Sequence, residues 1–482
     1  MSKITFLSGE KVPLEMHKVR MVQKLNLLPV EERAQKMEEA GYNTFLLKNR
    51  EVFLDMLSDS GVNAMSENQY AAMMQADDSY AGSETFYRLE KVLQETFGMK
   101  YFLPAHQGRA CEHIIARTLV TPGSVALMNY HFTTTKALIT LSGGTVKEVI
   151  GDEGLKIHSS APFKGDIDID KLNEAIQRIG KDKISFVRIE AGTNLVGGQP
   201  VSMRNIRDVS RICRREGIVF VFDASLLADN LYFIKTREEE FKNAEIIDIA
   251  REIGSLSDIF YFSARKLGAA RGGCILTSDE KLHAQMRELI PLFEGFITYG
   301  GMSVREMEAI AVGIRETMDI DVISQTPIFI EALSNELIAK GVPVVTPPGG
   351  LGCHLDASQF CEHIPQNQYI AGSLNAAVFI ASGVRGMERG TLSEQRNEDG
   401  SEHMAEMELV RLAIPKRVFT LSQIKYTADR ISWLFKNRRL IGGLEFVEEP
   451  SVLRFFFGRL TPIGNWPDLL VRQFRKDFGE SL

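Results

Sequence analysis

Cysteine is scarce in this chain, and its spacing excludes two classes of site. The 482 residues include five cysteines, at positions 111, 213, 274, 353 and 361, and no two of them form a C-x-x-C pair. An odd number of widely separated thiols builds neither a disulfide framework nor a cysteine–metal cluster. We therefore expect reduced thiols in a cytoplasmic protein, with no metal site.

Long apolar runs and an excess of basic residues are also missing. No stretch is apolar enough to span a bilayer, and the opening Met-Ser-Lys-Ile-Thr-Phe has no signal-peptide layout. The formal net charge of −7 argues against a surface that binds nucleic acid or an anionic membrane. We find no internal repeat. A chain of this length can form two domains with sizeable cores.

The middle of the chain alternates short β-branched or aromatic runs with amphipathic helices. Seven strands are predicted, at 100–103, 124–128, 145–148, 184–189, 218–222, 259–262 and 273–277. This alternation predicts an α/β fold with a mainly parallel sheet covered on both faces. After Gly300-Gly301 the pattern becomes that of a smaller α+β domain. The predicted domains are an arm with part of the small domain (1–65), a large cofactor domain (66–315), a small domain (316–460) and an extension (461–482).

Three further segments receive structural predictions. Residues 44–47 are a short strand candidate, and the polar segment from Gly386 to Gly400 is predicted to be a mobile loop. The tail after Arg459, with a basic helix at 470–478, is predicted to be an addition to the small domain.

One stretch carries the chemistry. The strand at 259–262 delivers Ser263 and Lys266, and a turn of small residues follows. This arrangement is typical of the Schiff-base lysine of enzymes that use pyridoxal 5'-phosphate (PLP). Such a lysine attacks the aldehyde as a neutral amine, and the neighbouring cation Arg265 favours that form. Because Ser-x-x-Lys also occurs by chance, the weight of the hypothesis comes from residues upstream.

Three upstream features fit the same cofactor. Gln107-Gly108-Arg109 opens a helix after a strand, where backbone N–H groups can bind a phosphate, although a plain helix start with a surface arginine has the same pattern. Phe132 could stack on a pyridine ring or simply pack in the core. Asp223 ends an apolar strand, where a carboxylate could pair with the pyridine nitrogen or cap a helix. Together with Lys266, their order favours PLP.

From about Ala40 to Arg459 the chain resembles the tryptophanase / tyrosine phenol-lyase family of PLP-dependent β-eliminating lyases. The strings that carry the resemblance include Tyr80-Ala81-Gly82-Ser83, His106-Gln107-Gly108-Arg109, Phe132-Thr133-Thr134-Thr135, Asn194-Leu195-Val196-Gly197-Gly198, Met387-Glu388-Arg389-Gly390 and Val410-Arg411-Leu412. The resemblance implies PLP-dependent transferase fold type I, as in aspartate aminotransferase. It also implies an active site between domains and at a subunit interface, hence a homo-oligomer, a dimer at least and by family likeness a tetramer.

The resemblance also implies a role for each matched residue. Lys266 would be the Schiff-base lysine, Asp223 the partner of the pyridine nitrogen, and Tyr80 the general acid on the leaving group. The remaining cofactor contacts would be Gln107, Gly108, Arg109 and Ser263 on the phosphate, Phe132 on the ring, and Asn194 and Arg265 nearby. The substrate contacts would be Arg411 with Asn194 on the α-carboxylate, Thr133 and Arg389 on the phenolic hydroxyl, and Phe296 and Phe455 in the pocket. The arginine at 389 places the chain on the phenol-lyase side, which cleaves tyrosine to phenol, pyruvate and ammonia.

Several positions depart from the family pattern. Leu226 replaces an arginine that touches the cofactor, Leu267 replaces an aspartate, and Phe296 replaces the usual pocket residue. Asp78 replaces a glutamate of the family's potassium site, so we expect dependence on K⁺ to be weakened or absent. Three functions stay open: a lyase with a shifted amino-acid substrate; another PLP reaction such as β-substitution, transamination, decarboxylation or oxidation in a biosynthetic pathway; and a PLP-binding protein without catalysis.

Overall fold

A computed structural model describes residues 3–397 and 399–482, which form two compact units. The first unit comprises Asp59–Pro327 and Gly349–Leu351. The second comprises the described residues up to Ser58, with Ile328–Pro348 and Gly352–Leu482. Among the residues described, no helix combines the length and the apolar character needed to cross a membrane.

A seven-stranded sheet forms the centre of the first unit. Its strands are β1 (Tyr101–Ala105), β2 (Val125–Met128), β3 (Thr145–Glu148), β4 (Ile184–Glu190), β5 (Phe220–Asp223), β6 (Ile259–Ser263) and β7 (Gly273–Thr277). They lie in the order β1-β7-β6-β5-β4-β2-β3. β7 is antiparallel to β1 and β6, and the other neighbouring pairs are parallel. The predicted α/β fold with a mainly parallel sheet is thus confirmed.

Amphipathic helices connect these strands. Their bounds are Glu67–Met73, Glu84–Phe97, Gly108–Leu119, Thr133–Leu141, Ile169–Ile179, Met203–Glu216, Leu227–Arg237, Ile246–Leu256, Glu280–Phe293, Val304–Thr317 and Ile320–Ile323. Helix Met203–Glu216 shows why such segments are helical. The Ser202 side chain accepts the Asn205 N–H at its start, and Gly217 ends it with φ 72°. Its apolar residues recur at helical spacing and are buried in the core of the unit.

The second unit is built around a small antiparallel sheet and a buried helix. The sheet contains β8 (Gly352–Asp356), β9 (Met387–Arg389) and β10 (Leu409–Ala413), with β10 in the middle. All residues of helix Ile370–Ser382 are buried, as expected for a helix that is apolar on every side. The other helices are Val30–Glu39, Gln325–Ala339 (in this unit from Ile328 on), Ala357–Phe360, Leu421–Lys436, Arg454–Phe457 and Trp466–Phe478. Short strand pairs join Lys3–Thr5 to Lys11–Pro13, Leu54–Asp55 to Val384–Arg385, and Leu444–Glu448 to Arg459–Pro462.

Two predicted elements of this unit are corrected. Residues 44–47 are not a strand: Thr44–Leu46 is a turn of 3-10 helix, because the Asn43 side chain accepts the Phe45 N–H and caps it. The segment from Gly386 does not begin as a mobile loop. Its residues Met387–Arg389 form the buried strand β9, paired with β10.

The C-terminal tail is part of the second unit's core. Helix Trp466–Phe478 buries Trp466, Leu470 and Phe474, which recur every four residues along one face. On the exposed side Arg475 makes a two-fold ion pair with Glu31, at 2.6 and 2.7 Å. The tail thus closes the hydrophobic core of its unit.

Candidate active site

Lys266 lies three residues after the end of β6, close to a carboxylate and an aromatic ring. Its Nζ is 3.9 Å from Oδ1 of Asp59 and 6.0 Å from the centroid of the Phe132 ring. The side chain is 16% exposed, so the amine is shielded yet accessible. Asp59 supplies a counter-charge to the ammonium group at this distance.

Arg265 packs against the loop that carries Asp59. Its Nε is 3.3 Å from Oγ of Ser60. Its guanidinium lies over Gly61, where an added Cβ would be 2.3 Å from Nη2. Burial, with a smaller effect of nearby Arg271, lowers the pKa of Arg265. A positive side chain is therefore held in the Ser60–Gly61 loop, directly before the lysine in sequence.

A glycine lets the start of a helix approach the end of β6. Helix Gly108–Leu119 begins after β1, and a Cβ on Gly108 would lie 2.6 Å from the Cβ of Ser263. Only glycine permits this approach. Arg109 is exposed in the first turn of the helix. Backbone N–H groups at a helix N-terminus, a hydroxyl and an arginine are the groups that bind a phosphate.

Asp223 is one of three polar residues in a row across the sheet. The register of the parallel strands pairs Glu190 of β4 with Asp223 of β5, and Asp223 with Tyr261 of β6. The Asp223 Oδ1 accepts the N–H of Ser225 at 2.9 Å, and the Ser225 hydroxyl accepts the N–H of Ser263 at 3.1 Å. Asp223 is thereby connected to the segment that carries Lys266.

A buried arginine lies behind this row. Arg188 on β4 is 1% exposed, and its Nη2 donates to Oδ2 of Asp223 at 2.5 Å. Its Nη1 is 3.5 Å from Glu190, and Nη2 is 3.9 Å from Glu112. Burial raises the pKa of Glu190 to about 7 and also raises that of Glu112, although the charge of Arg188 opposes both shifts. The cluster therefore has one guanidinium among three carboxyl groups.

Asn194 and Thr133 lie in segments that follow two neighbouring strands of the first unit, β4 and β2. Asn194 is buried after β4, and its N–H donates to Oε1 of Glu190 at 3.4 Å. Thr133 is the first residue of helix Thr133–Leu141 and follows Phe132 directly.

Tyr80 is mostly exposed and lies in an aromatic group of the same chain. Its ring stacks with Phe296, with centroids 5.8 Å apart, and its centroid is 5.4 Å from that of Tyr299. A hydrogen bond with Tyr299 raises the pKa of Tyr80. A tyrosine hydroxyl is protonated at neutral pH with or without this shift, so the phenol can act as a proton donor.

The second unit holds the other predicted substrate residues. Arg411 on β10 donates through Nη2 to the Leu57 carbonyl at 2.7 Å, which fixes its guanidinium. Arg389 on β9 is 4% exposed and lies next to the buried Glu388. Phe455 is buried against Phe45, with centroids 5.5 Å apart.

Most of the sequence matches a known family. A family model described as "Beta-eliminating lyase" matches residues 55–430. The chain belongs to the β-eliminating lyase family. Similar relatives include the tyrosine phenol-lyase of Pasteurella multocida, 43% identical over 452 residues that cover 93% of this chain and 99% of that protein. The tyrosine phenol-lyase of Nostoc punctiforme is 40% identical over 447 residues, which cover 92% of this chain and 96% of that protein.

Solved structures identify the fold independently of this sequence similarity. A serine palmitoyltransferase from S. paucimobilis with bound PLP-myriocin has a TM-score of 0.56 at 14% identity and covers 81% of this chain and 89% of that chain. A Sphingomonas wittichii serine palmitoyltransferase has a TM-score of 0.55 at 12% identity and covers 81% and 88%. The chain thus has the predicted PLP-dependent transferase fold type I. The family model and the tyrosine phenol-lyase relatives show that it is a PLP-dependent lyase.

The residues of the first unit fit this cofactor. Ser263 and the helix start at Gly108 form a cradle that a Cβ would fill, which suits a phosphate. Asp223 offers a carboxylate for a ring nitrogen, and Lys266 offers an amine for an aldehyde. The donor set therefore matches the phosphate, the ring nitrogen and the aldehyde of PLP.

The structure brings together most cofactor residues predicted from the sequence of the lyase. Lys266, Phe132, Ser263, Gly108 and Asp223 are linked by the contacts described above. Four residues of the Asp223 cluster were not predicted: Arg188, Glu190, Tyr261 and Glu112. A signal for two of them was present, since Arg188 and Glu190 are charged residues spaced two apart in a mainly apolar strand.

Proposed function

We propose that this lyase cleaves the Cβ–Cγ bond of L-tyrosine or a closely related aromatic amino acid. The observation that carries the proposal is the 43% identity to a tyrosine phenol-lyase along 99% of that protein's length. The local geometry supports it, because Lys266, Asp223 and a protonated Tyr80 are all present on the first unit.

The reaction consumes one water for each tyrosine and yields phenol, pyruvate and ammonia. When bound, PLP supplies an electron sink for the negative charge that develops at the substrate Cα. The released Lys266 amine takes the proton from Cα, with Asp59 3.9 Å away to hold the ammonium that results. Asp223 would bind the ring nitrogen of PLP and so preserve the ability of the ring to accept electrons.

The leaving group must receive a proton before the Cβ–Cγ bond breaks. Tyr80 can be this donor, since a tyrosine hydroxyl carries its proton at neutral pH. Phe296 stacks on the Tyr80 ring, with an angle of 27° between the ring planes. Thr133 is proposed to contact the phenolic hydroxyl of the substrate.

Two arginines of the second unit are proposed to bind the ends of the substrate. Arg411 binds the α-carboxylate, a task suited to a guanidinium that the Leu57 carbonyl already orients. Arg389 binds the phenolic hydroxyl. Asn194 assists Arg411, and Phe455 belongs to the apolar part of the substrate pocket.

The proposed setting is the cytoplasm, and the proposed state is a homo-oligomer of two or four copies. All five cysteines are free and buried, which suits a reducing compartment. Tyr80 is 72% exposed in the single chain, which suits a residue that acts next to a second copy.

Product analysis tests the function directly. The PLP-loaded protein is incubated with L-tyrosine, and phenol, pyruvate and ammonia are measured over time. We expect the three products in equal amounts. Lys266→Ala should bind tyrosine and give none of them.

A second candidate is another reaction of an amino acid on the same scaffold: β-substitution, transamination, decarboxylation or oxidation. One observation favours it: Leu226, which is buried three residues after Asp223, stands where the resemblance places an arginine that touches the cofactor. If tyrosine is consumed without phenol, and tyramine or the corresponding keto acid accumulates instead, this second candidate replaces the first.

A further inference from the structure

Arg188 and Tyr261 together hold one oxygen of Asp223. Arg188 Nη2 donates to Oδ2 at 2.5 Å, and the Tyr261 hydroxyl donates to the same oxygen at 2.9 Å. Arg188 Nε also donates to the Tyr261 hydroxyl at 3.1 Å, so the three side chains contact one another. Oε1 of Glu112 is the more distant acceptor for the Tyr261 hydroxyl, at 3.3 Å. Oδ2 thus accepts two hydrogen bonds and has no further lone pair to offer.

The other carboxylate oxygen of Asp223, Oδ1, can accept one more hydrogen bond. Oδ1 of Asp223 accepts the N–H of Ser225 at 2.9 Å, which uses one of its two lone pairs. The arrangement therefore decides which oxygen of Asp223 can accept a further donor, and it prevents the carboxylate from rotating.

The same arginine supplies the charge that the buried carboxylate needs. Asp223 is 5% exposed and lies close to Glu190 and Glu112. Like charges in a buried cluster favour uptake of protons, whereas a guanidinium in contact favours the carboxylate. Arg188 is the cation in contact with Asp223 among the described residues. Burial raises the pKa of Tyr261 well above its ordinary value, so this phenol remains a donor.

We propose that Arg188 is a positioning residue for the cofactor: it places a positive charge beside Asp223 and, with Tyr261, presents Oδ1 of Asp223 to the ring nitrogen of PLP. The inference rests on the proposed role of Asp223 as the partner of that nitrogen. Without Arg188, Asp223 would lose the cation beside it and one of the two hydrogen bonds that hold Oδ2, and its carboxylate could rotate.

The test compares two cofactors that differ only at the ring nitrogen. The protein freed of cofactor is titrated with PLP and with 1-deaza-PLP, in which a C–H group replaces that nitrogen, and binding is followed by absorbance. The ratio of the two dissociation constants measures the contribution of the ring nitrogen alone. No amino acid is added, so the result is independent of whether tyrosine is the substrate.

Arg188→Met should reduce the preference for PLP by about tenfold or more, since a charge-assisted interaction is lost. The affinity for 1-deaza-PLP should change by no more than about threefold. A change of that size is too small to explain the tenfold fall in the preference for PLP. Arg188→Lys should recover part of the preference, because it restores the charge without the bond to Tyr261. If both affinities fall in parallel and the ratio stays constant, Arg188 is merely structural and the proposal is wrong.

Tyr261→Phe gives a second test that removes a single hydroxyl. It should lower the preference for PLP several-fold, and it decides the question if Arg188→Met does not fold. Tyr42→Phe, which removes a buried hydroxyl in the second unit, is the matched control and should leave the ratio unchanged. An unchanged ratio in Tyr261→Phe contradicts the proposed geometry.

Discussion

At the scale of single residues, the neighbouring Tyr299 affects the acidity of Tyr80. Tyr80 has little burial of its own, yet its hydrogen bond with Tyr299 raises its pKa. The raised pKa makes the phenol a weaker acid and so changes the driving force for giving its proton to the leaving group. The aromatic group around it therefore has a chemical as well as a packing role.

Tyr80→Phe should lower the turnover of tyrosine by about 100-fold or more, because protonation of the leaving group loses its donor. Binding of PLP should be unaffected, since Lys266 and the phosphate cradle are unchanged. Initial rates of pyruvate release measure the first effect, and a cofactor titration measures the second. Tyr87→Phe, at a half-exposed tyrosine next to Phe86, is the control. Equal turnover of Tyr80→Phe and the unsubstituted protein would exclude Tyr80 as the acid.

Some residues of the site could be predicted from the sequence, and others could not. Lys266, Ser263 and Asp223 could be predicted because each follows a recognisable strand at a typical distance. Arg188 could not be assigned, because its partner Asp223 is on a different strand and 35 positions away in sequence. A charged residue inside an apolar strand indicates that a side chain of opposite charge lies nearby, but it does not identify that side chain.

At the scale of elements, the loop Asp59–Asn63 and the turn at Arg265 form one local structure. The N–H of Gly61 donates to the Arg265 carbonyl at 2.8 Å, and the Asn63 amide reaches the carbonyls of Arg265 and Lys266, both at 3.3 Å. The Arg265 guanidinium lies over this loop. A built-in cation thus occupies the region next to the lysine.

We expect the turnover of tyrosine to differ by no more than about twofold between sodium and potassium buffers of equal ionic strength. The reason is that the Arg265 guanidinium already supplies a positive charge at the Ser60–Gly61 loop. Rates are measured in NaCl and KCl after exhaustive dialysis. Activity that collapses in sodium and returns with potassium would refute the expectation. Arg265→Ala is the informative variant, because it removes the charge and should introduce a dependence on the cation.

Strand β9 of the second unit carries a buried carboxyl group. Burial and the nearby Glu408 raise the pKa of Glu388 to about 8, while a hydrogen bond from Ser393 at 2.6 Å opposes the shift. The folded chain therefore holds a proton on Glu388 that the unfolded chain releases above about pH 4.5. Between these values, stability falls as the pH rises, by at most about 1.4 kcal/mol per pH unit.

Glu388→Gln should remove this component of the pH dependence. From pH 5 to pH 8 the free energy of unfolding of the unsubstituted protein should decline relative to that of the variant, because glutamine does not titrate. Denaturant unfolding at several pH values measures the difference. Glu445→Gln, at an exposed strand position, should run parallel to the unsubstituted protein. A constant offset between Glu388→Gln and the unsubstituted protein would show that Glu388 is ionised in the folded chain.

The elements of the first unit were easier to predict than those of the second. Each of the seven predicted strands overlaps an observed one, since apolar runs bounded by turns depend mainly on local sequence. The polar segment 387–389 looked like a loop because only its pairing with β10, about twenty residues later, makes it a strand. The apolar face of helix Trp466–Phe478 was visible as spacing, but its burial depends on the core that it covers.

At the scale of the whole molecule, exposed apolar residues bear on assembly. The N-terminal arm exposes Leu7, Met21 and Val22, and Tyr80 is also exposed in the single chain. Light scattering should give a mass of at least twice 54.0 kDa. Met21→Glu combined with Val22→Glu should lower that mass, since charges at a covered apolar surface are costly. A monomer in the unsubstituted protein would contradict the proposed homo-oligomer.

Because all five thiols of the lyase are buried, they can report local unfolding of the chain. Cys111, Cys213 and Cys274 lie in the first unit, and Cys353 and Cys361 lie in the second. A reagent such as a maleimide can label them only when the surrounding structure opens, so the labelling rate follows local unfolding. Mass spectrometry of labelled peptides would then time the opening of each unit separately, without any introduced probe.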